Sequence, residues 1–244
     1  MEEKRWEQLI REKEGISYNK LEMASMAFPA LMRKVYLWMT LALAITGITA
    51  YGVANNTDFI WTLQEKPWIM WVLIIAELGL VFAISGMIHK LSIATATIMF
   101  IIYSLLNGVV LSTIFLAYTD ASISKVFFIT AGTFAVMSLV GYHTKRDLSS
   151  MGRILFMALI GIIIATVVNI FIKSSGLDLI LCYLGVLVFV GLTAWDTQKI
   201  KNMLLECEEP TEEAQKIALI GSLSLYLDFI NLFIYLLRIL GSRE

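Results

Sequence analysis

The sequence predicts an all-α integral membrane protein, a bundle of seven transmembrane helices. Three observations carry this. The chain is 58% hydrophobic and only 16% charged, where soluble domains run nearer a quarter charged. Its mean hydropathy is +0.76. The charges are also segregated, leaving apolar stretches of roughly 20 residues, the length that crosses a ~30 Å hydrocarbon core. A net charge of −1 gives no reason to expect nucleic acid as a partner. The two cysteines, Cys182 and Cys207, and the two histidines show no metal-ligand spacing, so neither zinc, thiol redox chemistry nor another resident cofactor is expected.

Residues 1–34 form a charged cytoplasmic or interfacial segment, with Glu interleaved among seven Lys and Arg. Within it, residues 21–32 contain several apolar side chains and Pro29, and are expected to lie along the membrane surface. The transmembrane domain is expected over 35–244. No cleavable signal peptide is expected, because the first apolar run begins near Val35, too late and too long for a signal core.

Seven spans follow, at about 35–54, 67–88, 92–118, 126–142, 154–172, 178–198 and 218–240. The fourth is the shortest. The turn at His89 and Lys90 is so tight that spans two and three must be antiparallel neighbours. The three prolines, Pro29, Pro67 and Pro210, all fall outside span interiors. Continuous helices are therefore expected, without the broken helices of many secondary transporters. Small residues give two helices a close-packing face: Ala158, Gly161 and Ala165 on span five, Gly108 and Ser112 on span three.

Orientation follows from Lys and Arg. With the N-terminus inside, 14 of the 19 fall on inner segments and five on outer ones. That bias predicts a cytoplasmic N-terminus and a C-terminus on the opposite side of the cell (inner) membrane. It also separates Cys182 from Cys207, which should not pair.

Away from their ends the spans contain no Lys, Arg or His, but they contain three carboxylates: Glu77, Asp196 and Asp228. A carboxylate at depth costs several kcal/mol unless protonated, paired or hydrated. With no basic residue in that layer, the available companions are a shared proton, a bound cation or water. Asp228 belongs to a stripe on the last span, with Gly221, Ser224, Asn231, Tyr235 and Arg238 at helical spacing. Such a stripe should face inward.

Depth bears on which carboxylates meet. At about 1.5 Å per residue, Asp196 lies about 27 Å from the outer end of its span, near the inner surface. Asp228 and Glu77 lie nearer mid-span. Asp196 and Asp228 meet only if the last helix starts well below the inner surface or is tilted, and the acidic loop between them (Glu206, Glu208, Glu209, Glu212, Glu213) leaves room for that. Two carboxylates in hydrogen-bonding reach do not both ionise easily and titrate as a unit. Sharing a proton they form a latch; fully ionised they repel and offer the hard oxygens Ca²⁺ prefers. Simpler readings stand beside this one. Asp196 is also an interfacial Asp solvated beside Thr193, Thr197 and Lys199, Asp228 a neutral group bonded to Asn107 or Ser224, and Glu77 a protonated structural residue.

The residues around these aspartates resemble the Bax inhibitor-1 family, the transmembrane BAX inhibitor motif proteins. Trp195-Asp196-Thr197-Gln198 is similar to the family's aromatic-Asp-Thr-Gln at the end of its sixth helix. Leu225-Tyr226-Leu227-Asp228-Phe229-Ile230 is similar to its Leu-aromatic-Leu-Asp-Phe-Ile in the seventh. Gly141-Tyr142, Lys145-Arg146-Asp147-Leu148 and Gly152-Arg153 resemble the loop after the fourth helix of bacterial members. The resemblance runs from about Tyr36 onward and leaves the charged head uncovered. It implies a bundle with the last helix central and the other six around it. It further implies a pH-sensitive Ca²⁺ leak, with Asp196 and Asp228 as gate and cation site. Glu77, Asn107 and Asn231 are auxiliary candidates from their positions alone. A basic residue on helix two, with which some relatives close the pore, is absent here: residues 67–88 hold no Lys or Arg.

Two functional classes are therefore expected. One is a passive cation leak whose partners are the bilayer, Ca²⁺ and protons. The other is a membrane-embedded modulator of a protease or survival pathway, acting on a membrane-protein partner through its charged head and its Glu-rich loop. An enzyme is not expected, since no nucleophile–base pair or metal-binding His cluster is present.

Overall fold

A computed structural model describes the backbone of residues 2–207 and 211–242, and the side chains of 27–207 and 211–242. The described residues are almost wholly helical. In chain order they form α1 (Glu2–Ala54), α2 (Thr57–Glu65), α3 (Trp68–Met87), α4 (Ile93–Leu111), α5 (Asp120–His143), α6 (Ser149–Ile172), α7 (Ser175–Leu205) and α8 (Glu212–Leu240). Seven of these are long and apolar enough to cross a membrane; α2 is not. This chain is a multi-pass membrane protein of the predicted class.

The last helix is the core of the bundle. Of its apolar window 67% is buried, against 44% for α7 and 6% for α3 and α6. A spanning helix that carries polar side chains turns them away from lipid, and in α8 Leu225, Tyr226 and Leu232 are wholly enclosed. Around it stand α1, α4, α5 and α7. α3 packs on α4, and α6 on α7, as an outer pair. The expected ring of six is thus four inner helices and two outer ones. Four inner neighbours already cover α8, and the flanks of α3 and α6 are apolar enough to face lipid.

Helix ends depart from the hydropathy pattern for identifiable reasons. α1 is one helix through Pro29, and Ala27, Phe28, Leu31 and Met32 are part of the core. Packing begins there and not at 35, so residues 27–32 do not lie along a membrane surface. Pro29 removes one backbone hydrogen bond without ending the helix. The side chains before Ala27, and Glu208 and Glu209 of the acidic loop, lie outside the described residues.

The fourth span is not the shortest. Thr119 caps α5 by accepting from the Ser122 amide (3.3 Å), which starts the helix at Asp120, six residues before the apolar run. Asn56 likewise caps α2, accepting from the Phe59 amide (3.1 Å), and α2 buries Ile60 and Leu63. Its nine residues are too short for a hydropathy window to register. The turn at His89 and Lys90 is a single 3₁₀ turn between the packed helices α3 and α4. Pro67 sits at the N-cap of α3.

The small-residue faces divide. A Cβ on Gly108 would lie 2.6 Å from Thr49 Cβ and 2.7 Å from the Thr46 carbonyl, so α4 and α1 touch there as expected. A Cβ on Gly161 would meet nothing within 4 Å. The Ala158–Gly161 side of α6 faces outward, and α6 packs through Leu155, Leu159 and Ile162 instead. Along this middle stretch of α6 the large aliphatic residues, with Ala165, meet α7, while Ala158 and Gly161 do not.

Candidate functional site

The polar stripe of α8 faces a cavity between α6, α7 and α8. The cavity holds about 390 Å³ and is lined from α8 by Ser224, Asp228, Asn231 and Tyr235, from α7 by Asp196 and Lys199, and from α6 by Phe156, Leu159 and Ile163. The structure therefore brings the carboxyl groups of Asp196 and Asp228 to one cavity, close enough to interact. A hydrogen bond between them would require a proton on one of the two. Asp228 is 4% exposed, and its Oδ2 has no hydrogen-bond partner. Asp196 is half-buried.

The depth mismatch disappears because both helices are longer than their apolar runs. α7 continues seven residues past Gln198 to Leu205, and α8 starts six residues before Ala218, at Glu212. Thr211 caps α8, accepting from the Ala214 amide (3.3 Å), and Glu212 pairs with Lys216 (3.1 Å) one turn on. A Cβ on Gly221 would meet Ile200 at 3.0 Å, and one on Gly185 would meet the Tyr235 ring at 2.6 Å. In that antiparallel register Asp196 and Asp228 are about one turn apart, within side-chain reach.

Asn231 lines the same cavity, its amide donating to the Leu227 carbonyl (2.8 Å). Lys199, expected from the sequence only beside a solvated Asp196, borders the shared cavity one turn from that residue. Its Nζ is held over the Trp195 ring, 5.0 Å from the centroid. One cation near two carboxylates offsets one charge; the second still needs a proton or a cation. Towards the other end the stripe closes. The Tyr235 ring fills the space over Gly185 and stacks on Phe189 (centroids 5.9 Å). Beyond it Arg238 forms an ion pair with Asp178.

Glu77 and Asn107 are not part of this cavity. They lie on the opposite face of α8, where the Asn107 amide and the Glu77 carboxyl are neighbours. The Tyr226 hydroxyl donates to Asn107 Oδ1 (3.0 Å) and lies 2.7 Å from Thr46 Oγ1. Thr46 in turn reaches the Ser104 carbonyl (2.9 Å). Glu77 is 9% exposed, with Oε1 unpartnered. A third ligand for the aspartate pair is therefore not Glu77: α8 stands between them. Among the described residues no group of three or more His, Cys, Asp or Glu is placed to hold a metal ion. A cation at the pair would be held by Asp196, Asp228, the Asn231 amide and water.

Thr46, Tyr103 and the role of the Tyr226 hydroxyl are not marked by the sequence, because a neutral hydroxyl in an apolar span raises no charge signal. Burial is what marks them: Tyr226 is wholly enclosed, between the rings of Phe100 and Tyr103 (centroids 5.8 and 5.7 Å).

The Trp-Asp-Thr-Gln stretch has a second task. Gln198 accepts from the Leu148 amide and donates to the Arg146 carbonyl, both at 2.8 Å. Lys201 donates to the Tyr142 carbonyl (2.7 Å). Thr197 lies 3.2 Å from Ser138 of α5. Gly152 backs onto Trp195 so closely that a Cβ would fall 2.2 Å from the ring. Two of the three stretches that resemble a known family are thus clamped together, and Asp196 lies beside the clamp.

Comparison with known proteins agrees with that arrangement. The family model described as "Inhibitor of apoptosis-promoting Bax1" matches residues 29–244. The inner membrane protein YbhL of Escherichia coli (strain K12) is 50% identical over 87% of this chain and 92% of its own length. Uncharacterised proteins of Borreliella burgdorferi and Rickettsia prowazekii are 47% and 43% identical, each over 87% of this chain and over 92% and 89% of their own lengths.

Proposed function

Because this chain belongs to the Bax inhibitor-1 family, we propose that it is a passive, pH-sensitive Ca²⁺ leak of the inner membrane. In this reading Asp196 and Asp228 are both its proton-controlled gate and its cation site. The observation that supports it is the shared cavity. Two carboxyls from adjacent helices face each other at the wall of the central helix, with a single ammonium group bordering them. Protonated, the pair holds α7 to α8 through its own hydrogen bond. Ionised, it repels and presents hard oxygen ligands to a cation. The Tyr235 ring and the Arg238–Asp178 pair close the stripe at its other end. The N-terminus is cytoplasmic and the C-terminus on the far side, from the Lys and Arg distribution.

The test is Ca²⁺ flux into dye-loaded liposomes carrying the purified protein, measured across pH for the wild type, Asp196→Asn and Asp228→Asn. The reading requires flux that depends on pH and a dependence that changes in both variants. Unaltered flux in both removes the aspartates from the mechanism.

A further inference from the structure

A second large cavity lies on the lipid side of the bundle, away from the aspartates. It is a groove of about 630 Å³ between α1 and α5, floored by Phe229 of α8. Within the groove the two helices are joined by the Tyr36 hydroxyl and Ser138 Oγ, 2.6 Å apart, and at its end by the stack of Phe28 on Tyr142 (centroids 6.1 Å). Elsewhere they diverge, and the walls are apolar: Met39 and Leu43 from α1, Phe127 and Phe134 from α5.

The groove is not uniform along its length. At one end it is lined by Tyr142 and His143. Lys201 Nζ sits over the Tyr142 ring there, 5.1 Å from the centroid. Lys145 and Arg146 follow directly after α5 and are exposed. On α1, exposed Arg33 lies on the same face as Tyr36 and Thr40, one turn before Tyr36. From His143 to Phe134 is nine residues, or about 13.5 Å of helix, close to half of a ~30 Å hydrocarbon core. An apolar trough one leaflet deep with a cationic rim has the form of a phospholipid with an anionic head.

We propose that this groove holds one anionic phospholipid, its acyl chain against Met39, Phe134 and Phe229 and its phosphate among Arg33, Lys145 and Arg146. Cations at a membrane surface attract anionic headgroups and leave zwitterionic ones largely unselected. The chain supplies contact and the rim supplies the choice of head.

The experiment is native mass spectrometry of the detergent-purified full chain, incubated with an equimolar mixture of phosphatidylglycerol and phosphatidylcholine. The wild type is expected to retain one phosphatidylglycerol at least fivefold over phosphatidylcholine. Arg33→Gln combined with Lys145→Gln and Arg146→Gln should bring that ratio towards one. Ala135→Trp, which fills the groove from α5, should lose the retained lipid while keeping the thermal transition of the wild type. Thr40→Trp fills it from the opposite wall and serves the same purpose if Ala135→Trp does not fold. A wild type without headgroup preference, or a folded groove-filling variant that retains as much phosphatidylglycerol as the wild type, overturns the proposal.

Discussion

Gly141 of α5 lies so close to Ala194 of α7 that a Cβ on the glycine would fall 2.1 Å from the Ala194 carbonyl oxygen. Backbone meets backbone here, so no side chain can swing aside to make room. Gly141→Ala must push α5 off α7, and Ala194 is two residues from Asp196. Overpacking of this kind typically costs about 1–3 kcal/mol. The expected outcome is a clearly lowered thermal transition in detergent. Gly161→Ala, where the new methyl meets nothing within 4 Å, should leave it unchanged. Equal transitions in the two variants would refute the close approach.

The two polar sites on opposite faces of α8 should separate by mutation. Tyr226→Phe removes the hydroxyl that donates to Asn107 and reaches Thr46. Losing a buried hydrogen bond and leaving its acceptor unpaired costs about 1–3 kcal/mol. Stability should fall by that order, while the pH dependence of Ca²⁺ flux stays as in the wild type. Thermal unfolding and the liposome assay together check this; a changed pH profile would tie the two faces into one path.

Neutralising the aspartates gives the converse pattern. In Asp228→Asn the buried carboxyl becomes an amide of nearly the same size, with no proton to gain or lose. The pH dependence of flux should collapse, with the helices still packed. Asp196→Asn and the double variant should match it, since one titrating unit is lost in every case. Additive effects of the two single changes would show that the aspartates act separately.

Asp178 and Arg238 form an ion pair at the end of the stripe, each about one-third exposed (35% and 33%). At that exposure its contribution to stability is small, about 0.5–1 kcal/mol. Its larger effect is on charge. Asp178→Asn frees a guanidinium beside Tyr235, which should lower cation flux, and adding Arg238→Gln should restore it. Flux unchanged by the single substitution would place the pair outside the conducting path.

Outside the membrane, Asp147 Oδ1 accepts from the Ser149 amide (2.9 Å) at the start of α6. Hydrogen bonds from Ser149 hold its carboxyl below the ordinary value of 3.8. A carboxyl lowered on folding stabilises above its unfolded value, and the benefit is lost as pH falls through the folded one. Amide protection over the first turn of α6, taken relative to the intrinsic exchange rate at each pH, should therefore hold at neutral pH and fall only in strong acid. Asp147→Asn should weaken the acid dependence.

The architecture was legible because bilayer thickness constrains length: each span announced itself as an apolar run. The aspartate pair was legible because a charge at depth demands a companion, and the α8 stripe of Ser224, Asp228, Asn231 and Tyr235 does line one cavity. Hydropathy marks where lipid is and not where a helix stops. The polar turns that carry α7 to Leu205 and α8 back to Glu212, and which bring the aspartates level, therefore went unread. Glu77 was misplaced as a partner of the pair because a sequence gives depth but not azimuth: α3 packs outside α4, on the far side of α8 from the aspartates. Gly161 was misread for the same reason.

The central position of α8 also orders the assembly of the protein in time. α8 is last in the chain and supplies the surface on which α1, α4, α5 and α7 pack. During synthesis the six earlier spans therefore enter the bilayer before the post they surround exists. Until residue 240 clears the ribosome, Thr46, Asn107 and Ser138 lack the completed enclosure around them, and Asp196 waits without Asp228. A chain cut before Thr211 is a ring without an axle, with buried polar groups opened to lipid.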